Sequence, residues 1–174
     1  MDLSKKIEGT RQVGSEFLTW LMYRSISSEG MLQTSLGNVE LWFESQIRLV
    51  SPYAGTEVNI LKGEAPAEGE ETAAALYKGK QVEQAKLSAS FAGKRWDFTL
   101  TGPTFNLSSV KVPAVLAETD LDVVLDRFEL LRTLEEILGS LYHEFLELRL
   151  DSKKWLLECA HFEKWLAEQP EASA

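Results

Sequence analysis

Few residues of this chain have the spacing that enzyme chemistry requires. The chain has two histidines, His143 and His161, and His143 stands four residues before Glu147. A zinc site of the HExxH type has a second histidine at that position, and two ligands are too few to hold the metal. We therefore expect His143 to lie on a solvated helix face and His161 to pack against Trp165, and we predict no metal or cofactor.

Acidic side chains on a predicted helix are a second source of chemistry. Paired carboxylates can bind a metal ion or transfer protons. On an amphipathic helix their ordinary role is to form the solvated face, and we favour that interpretation over a metal-dependent enzyme. The groups in question are Asp122, Asp126 and Glu129, and Glu144 and Glu147.

The single cysteine and the serines lack the sequence context of a catalytic nucleophile. Cys159 shares a helical stripe with Trp155, Phe162 and Leu166, which predicts a buried structural cysteine. The chain lacks a phosphate-binding glycine loop and a recognisable serine nucleophile motif. The sequence therefore favours a protein that is not an enzyme.

Positive charge is concentrated in one segment of an acidic chain. The formal net charge is −9, yet residues 78–111 contain six basic and two acidic residues. Basic side chains on a sheet can lie along a phosphate backbone without reading its sequence. Nucleic-acid contact is one hypothesis for this segment, and a solvated sheet face or pairing with acidic helices are the alternatives. The candidate nucleic-acid residues are Lys78, Lys80, Lys86, Lys94 and Arg95.

A β-hairpin over residues 82–101 would display those charges. Odd-numbered positions from 85 to 91 are apolar, as are even-numbered positions from 96 to 100, and period two places each set on one face of a sheet. Gly93-Lys94 is predicted as a type II′ turn. That turn would pair Phe91 with Trp96 and Leu87 with Leu100.

Other patterns predict the elements around this hairpin. After a loose lead-in, Ser15 is the predicted cap of a helix that is apolar nearly all round, which requires burial or a partner. Strands are predicted in 31–62 and a short helix over 70–78. A long helix from Asp120 to Leu150, with Gly139 as a point where it could bend, precedes a last helix capped by Ser152.

Together these elements predict an α+β fold with about five antiparallel strands, a long C-terminal helical hairpin and an N-terminal apolar helix. We expect one domain over residues 1–174, with 1–13 and 169–174 flexible. The composition, 44% hydrophobic and 26% charged, is that of a globular protein. No apolar run reaches the ~20 residues of a membrane span, and the N-terminus has no apolar signal core. We expect a cytoplasmic protein without a membrane partner.

Aromatic residues are numerous enough to suggest an interface. The chain has five tryptophans and eight phenylalanines, and aromatic side chains dominate protein contacts. Trp42 lies between Leu41 and Phe43, so it faces outward if the sheet has a single layer; the alternative is that a helix covers it on the second face. The alternative function is thus a self-associating, protein-binding domain with no nucleic-acid role. Its candidate interface residues are Trp20, Trp42 and Trp165.

Several segments, in order along the chain, resemble bacterial recombination-associated protein RdgC. They are GSEFLTWLMYRS at 14–25, VELWFE at 39–44, ALYKGK at 75–80, RWDFTL at 95–100, KVP at 111–113 and FLELRL at 145–150. The resemblance implies a cytoplasmic accessory protein of DNA recombination. Members of that family are dimeric rings that bind duplex DNA without sequence preference and restrain the recombinase. Duplex DNA, a homodimer or a recombination protein are the implied partners.

This chain departs from that family in being shorter and acidic. The matching segments are mostly predicted core, so the resemblance assigns no individual DNA-contacting residue. The first functional hypothesis is therefore an accessory or interaction domain, associated with DNA recombination, that makes weak sequence-independent DNA contact.

Overall fold

Six antiparallel strands and four α-helices form the described part of the chain, and they confirm the α+β class with one strand more than expected. The structure is a computed structural model that describes residues 3–51, 57–116 and 119–169, with side chains from residue 13 onward. In chain order the elements are α1 (Leu3–Ser27), β1 (Met31–Thr34), β2 (Gly37–Val50), β3 (Val58–Lys62), α2 (Glu70–Tyr77), β4 (Gln81–Phe91), β5 (Lys94–Thr101), β6 (Asn106–Lys111), α3 (Asp120–Leu150) and α4 (Ser152–Ala167).

Strand β2 organises the sheet. One of its edges pairs with β4, and its other edge is shared by β1 and β3, so the order is β1-β2-β4-β5-β6 with β3 beside β2. Phe43 pairs with Leu87 and Ile47 with Ala85, so a bulge lies between them on β2. Both sides of the bulge keep their apolar residues on one face, and the buried positions are Val39, Leu41, Phe43, Ile47 and Leu49.

The predicted hairpin forms as β4 and β5, but its turn is Ala92-Gly93. Both residues have positive φ, 50° and 74°, as a type I′ turn requires. Leu87 therefore pairs with Phe98, two positions from the predicted register. The type II′ turn at Gly93-Lys94 is wrong because Ala92 adopts the left-handed conformation that type I′ needs. A shift of two residues leaves the apolar face unchanged, since side chains alternate with period two.

Helix α1 lies between the sheet and the hairpin of α3 and α4. Toward the sheet, the hydroxyl of Thr19 accepts a 2.8 Å hydrogen bond from the backbone N–H of Val82. On the other side, the Phe17 ring lies 5.5 Å from that of Phe145. Two packed sides explain why the helix is apolar nearly all round, and its partner is the rest of this chain. The predicted cap at Ser15 is wrong, because α1 begins at Leu3 and Ser15 is buried within it.

Two glycines allow α1 to cross the turn that follows β5. A Cβ atom added at Gly14 would overlap the carbonyl group of Gly102, and one added at Gly102 would overlap that of Gly14. The crossing therefore requires that neither residue has a side chain, and it fixes where α1 sits on the sheet.

The C-terminal hairpin is built from one continuous long helix and one short helix. Thr119 caps α3 by accepting the N–H of Asp122. The cap of α4 is Asp151 rather than Ser152, because the Asp151 carboxylate accepts the N–H groups of Lys153 and Lys154. Helix α3 passes through Gly139 without ending. None of the described helices combines the length and apolarity that crossing a bilayer requires.

Candidate interaction surfaces

The predicted basic residues do not form one surface. Lys78 and Lys80 precede β4, whereas Lys94 and Arg95 begin β5 beside the far end of β4. The eleven residues of β4 separate the two groups by about 35 Å at the usual rise per strand residue. Lys86 lies between them, exposed to solvent.

Two of the five candidate cations already have partners within the chain. Nη2 of Arg95 lies 2.9 Å from Glu44, and its Nε donates a 3.0 Å hydrogen bond to Asp97. The bond to Asp97 raises the pKa of the Arg95 guanidinium. The ammonium of Lys80 donates a 2.6 Å hydrogen bond to Asn59, and its side chain is only 10% exposed.

The sheet face opposite α1 carries charges of both signs. Arg95 lies beside Glu44 and Asp97, and Nε of Arg48 lies 2.8 Å from Glu83 without forming a hydrogen bond. Strand positions place nearly equal numbers of opposite charges here, so the face presents no strong positive field to a phosphate backbone. They are five basic residues, Arg48, Lys62, Lys86, Arg95 and Lys111, against four acidic ones, Glu40, Glu44, Glu83 and Asp97.

The three candidate interface tryptophans have different environments. Trp20 is buried, so the prediction that it lies on an interface is wrong. Trp165 is half-buried, with its ring 5.3 Å from that of Tyr23. Trp42 lies on the sheet face opposite α1, as its position predicts, and its indole donates a 2.8 Å hydrogen bond to Glu40.

A cleft of about 320 Å³ lies between α1, α4 and the start of β4. Its volume is that of a small-molecule pocket, and its walls include the rings of Trp20 and Trp155. Its charged groups are paired inside the chain: Glu16 lies 2.8 Å from Arg149, and Glu158 lies 3.5 Å from Arg24. The cleft therefore holds its carboxylates in structural ion pairs.

Cys159 lines the same cleft and is half-buried rather than fully buried. Burial raises the pKa of its thiol, and the nearby charge of Glu163 adds to the shift. A thiol with a raised pKa is protonated at neutral pH and is a poor nucleophile. The residue therefore has the electrostatic environment of a structural cysteine.

The histidine and carboxylate candidates stay apart. His143 is exposed and its Nε2 lies 3.4 Å from Glu147, as expected for a solvated helix face. Asp122, Asp126 and Glu129 are exposed on α3. Over residues 3–51, 57–116 and 119–169, no three His, Cys, Asp or Glu side chains are grouped to hold a metal ion.

The most prominent surface is one that sequence reasoning missed. Five large apolar side chains on the first half of α3 are 42–67% exposed. On a helical wheel they lie roughly opposite the buried Leu130, Leu134 and Ile137. The helix holds more apolar positions than one buried face needs. We call this set the α3 stripe: Leu121, Val124, Leu125, Phe128 and Leu131.

A groove of about 390 Å³ continues the α3 stripe toward the middle of the helix. Leu131 belongs to both features, and Glu135 is the one charged residue on the groove wall. The remaining wall residues are mostly apolar, and they come from α3, α1 and the end of the sheet: Leu134, Leu138, Gly139, Tyr142, Phe17, Leu100, Phe105 and Leu107.

The candidate interaction surfaces of the described residues are therefore the α3 stripe, its groove and the sheet face opposite α1. No family model, no curated protein and no solved structure matches this chain.

Proposed function

We propose that this protein is a non-enzymatic interaction domain that binds another protein chain through the α3 stripe. The observation that carries the proposal is the exposure of five large apolar side chains on one helix face. Together they present roughly 500 Å² to water, a patch size that in a monomer commonly marks a binding surface. Burying such side chains against a partner stabilises a complex by about 1.5–3 kcal/mol for each one fully buried.

The rest of the fold anchors the C-terminal end of the α3 stripe. Nε1 of the buried Trp96 donates a 3.0 Å hydrogen bond to the carbonyl of Leu130, next to the last residue of the α3 stripe. The side chains of Leu134 and Ile137, further along α3, are fully buried in the core. Thr119 caps the first turn of the same helix. A preorganised helix loses little conformational entropy on binding, which favours affinity.

Photo-crosslinking in living cells tests this proposal. A photoreactive amino acid replaces Phe128, which is 64% exposed, and in a control chain it replaces Lys86 on the sheet face opposite α1. We expect irradiation to give a discrete protein adduct from position 128 and none from position 86. The absence of an adduct at position 128, or equal labelling at the two positions, would contradict the proposal.

Sequence-independent DNA contact, associated with recombination, is a second candidate function. The observation in its favour is that Lys86, Lys94 and Lys111 are exposed and form no ion pair with any described residue. Such contact would be weak and would fall steeply as salt rises. The opposite charges of Glu44 and Asp97 beside Arg95 oppose it.

Fluorescence anisotropy with a labelled DNA duplex tests this second candidate. If DNA binds, the combined change Lys86→Glu, Lys94→Glu and Arg95→Glu should abolish the low-salt signal. Lys153→Glu, an exposed lysine of α4, is the control and should preserve most of it. No binding by the wild type at low salt would rule out this function.

A further inference from the structure

We infer that the α3 stripe binds a second copy of this chain, with the two α3 helices antiparallel about Leu131. The inference rests on the proposed function and names its partner. It follows from three properties of the same surface: its area, the groove beside it and the positions of its charges.

The exposed area matches what a dimer needs. Two stripes contribute roughly 1,000 Å², and the groove walls bring the total into the range of about 1,200–2,000 Å² that stable complexes bury. Each chain carries both a ridge, at Val124 and Phe128, and a groove, at Leu134 and Leu138. A two-fold axis can therefore place the ridge of each copy in the groove of the other.

An antiparallel register about Leu131 brings these features together. In this register, the residue that lies n positions before Leu131 in one copy is level with the residue that lies n positions after Leu131 in the other copy. Val124 comes level with the partner's Leu138, and Phe128 with the partner's Leu134. The apolar first half of each helix thereby covers the groove beside the second half of the other, and both surfaces leave water.

The charges flanking the stripe favour this register. Arg127 and Glu135 stand four residues on either side of Leu131, and both are exposed. Neither belongs to an ion pair with another described residue. The antiparallel register brings Arg127 level with the partner's Glu135 twice in each dimer, within reach of two long side chains. A parallel pair would instead place like charges together, which costs affinity.

Two charge reversals test the register. In Arg127→Glu both contacts become acid against acid, and in Glu135→Arg both become base against base. We expect sedimentation velocity to show that each variant alone self-associates at least roughly tenfold more weakly than the wild type. Lys153→Glu makes the same charge change on α4 and should leave association unchanged.

Mixing the two variants gives the decisive result. A mixed dimer of Arg127→Glu with Glu135→Arg restores opposite charges at both contacts, so an equimolar mixture should regain wild-type affinity. Failure of the mixture to recover, or unaltered association of either variant alone, would overturn the register. Both residues are exposed, and circular dichroism should show that both variants remain folded.

The test also separates this inference from the proposed function. A wild-type chain that stays monomeric at every concentration overturns the second-copy inference. If position 128 still crosslinks to a different protein in cells, the proposed function stands without it. A monomer with no adduct at position 128 overturns both.

Discussion

The indole of Trp20 and the carboxylate of Glu158 meet inside the protein although they lie 138 positions apart in the chain. Nε1 of Trp20 donates a 2.9 Å hydrogen bond to Oε1 of Glu158. The guanidinium of Arg24 lies 3.5 Å from the same carboxylate and 5.6 Å from the centre of the Trp20 ring. These three residues join α1 to α4, and Arg24 compensates the charge that Glu158 carries into a buried position.

Replacing Trp20 should therefore weaken the whole fold. Trp20→Phe removes the bond to a buried carboxylate, and we expect the free energy of unfolding to fall by about 2–3 kcal/mol. Urea denaturation measures the change. Trp42→Phe is the matched control, because the Trp42 indole bonds to an exposed glutamate, and it should cost under about 0.5 kcal/mol. Equal losses in the two variants would show that the Trp20 bond has no special role.

The crossing of α1 over the turn after β5 makes a second prediction. Gly14→Ala pushes a methyl group into the backbone of Gly102, and we expect a loss of at least about 2 kcal/mol in thermal or urea unfolding. Gly139→Ala places its methyl group in open space and should raise stability by up to about 1 kcal/mol, because alanine favours a helix. A tolerated Gly14→Ala would mean that the crossing is looser than described.

Cys159 should react slowly with thiol reagents. Burial raises the pKa of its thiol, so little thiolate is present at neutral pH. An exposed cysteine made by Ala160→Cys with Cys159→Ser provides the comparison on the same helix. In the folded protein we expect the native thiol to react at least about tenfold more slowly than the exposed cysteine. In denaturant the two thiols should react equally fast. Fast labelling of the folded wild type would contradict this environment.

The pH dependence of stability should contain a contribution from Glu144. Burial raises the pKa of this carboxyl, although Arg24, 3.3 Å away, opposes the shift. The folded protein then holds the proton more tightly than the unfolded chain does. The stabilisation linked to that proton is present below the unfolded pKa and is lost as pH rises through the folded pKa.

Glu144→Gln should remove this contribution. Relative to the variant, the wild type should lose stability as pH rises from about 4 to about 7. The difference should stay under about 1 kcal/mol, because solvent screens a side chain that is 37% exposed. Urea unfolding across this pH range measures it. Glu147→Gln, on the same helix and more exposed, is the control, and an identical pH profile for both variants would contradict the assignment.

Local patterns predicted much of this fold because the physics behind them is local. Period-two alternation identified the core face of β4 and β5, and the helix predicted from Asp120 to Leu150 has the bounds of α3. The turn was harder, because Gly93 suits type I′ and type II′ alike, and the choice depends on Ala92 accepting positive φ. An error of two positions in the register left the burial pattern intact.

The surfaces depended on tertiary packing, which sequence spacing does not encode. The sequence predicted Arg95 as a cation available to DNA, but in the fold Glu44 of β2 lies 2.9 Å from its guanidinium. The sequence predicted Trp20 as an interface residue, but in the fold α4 covers it and it is buried. Helix α3 has apolar residues on two sides, yet only the side bearing Leu130 and Leu134 meets the core. Which apolar face of a helix stays exposed is decided by the elements that pack against it.

Sedimentation equilibrium of the purified chain most directly tests whether the α3 stripe is a self-association surface. We expect the average mass of the wild type to rise from monomer to dimer with concentration, and Phe128→Asp to remain monomeric because it places a charge in the contact. Leu157→Asp alters an equally exposed side chain on α4 and should dimerise like the wild type. A wild type that is monomeric throughout, or equal effects of the two aspartates, would contradict self-association through α3.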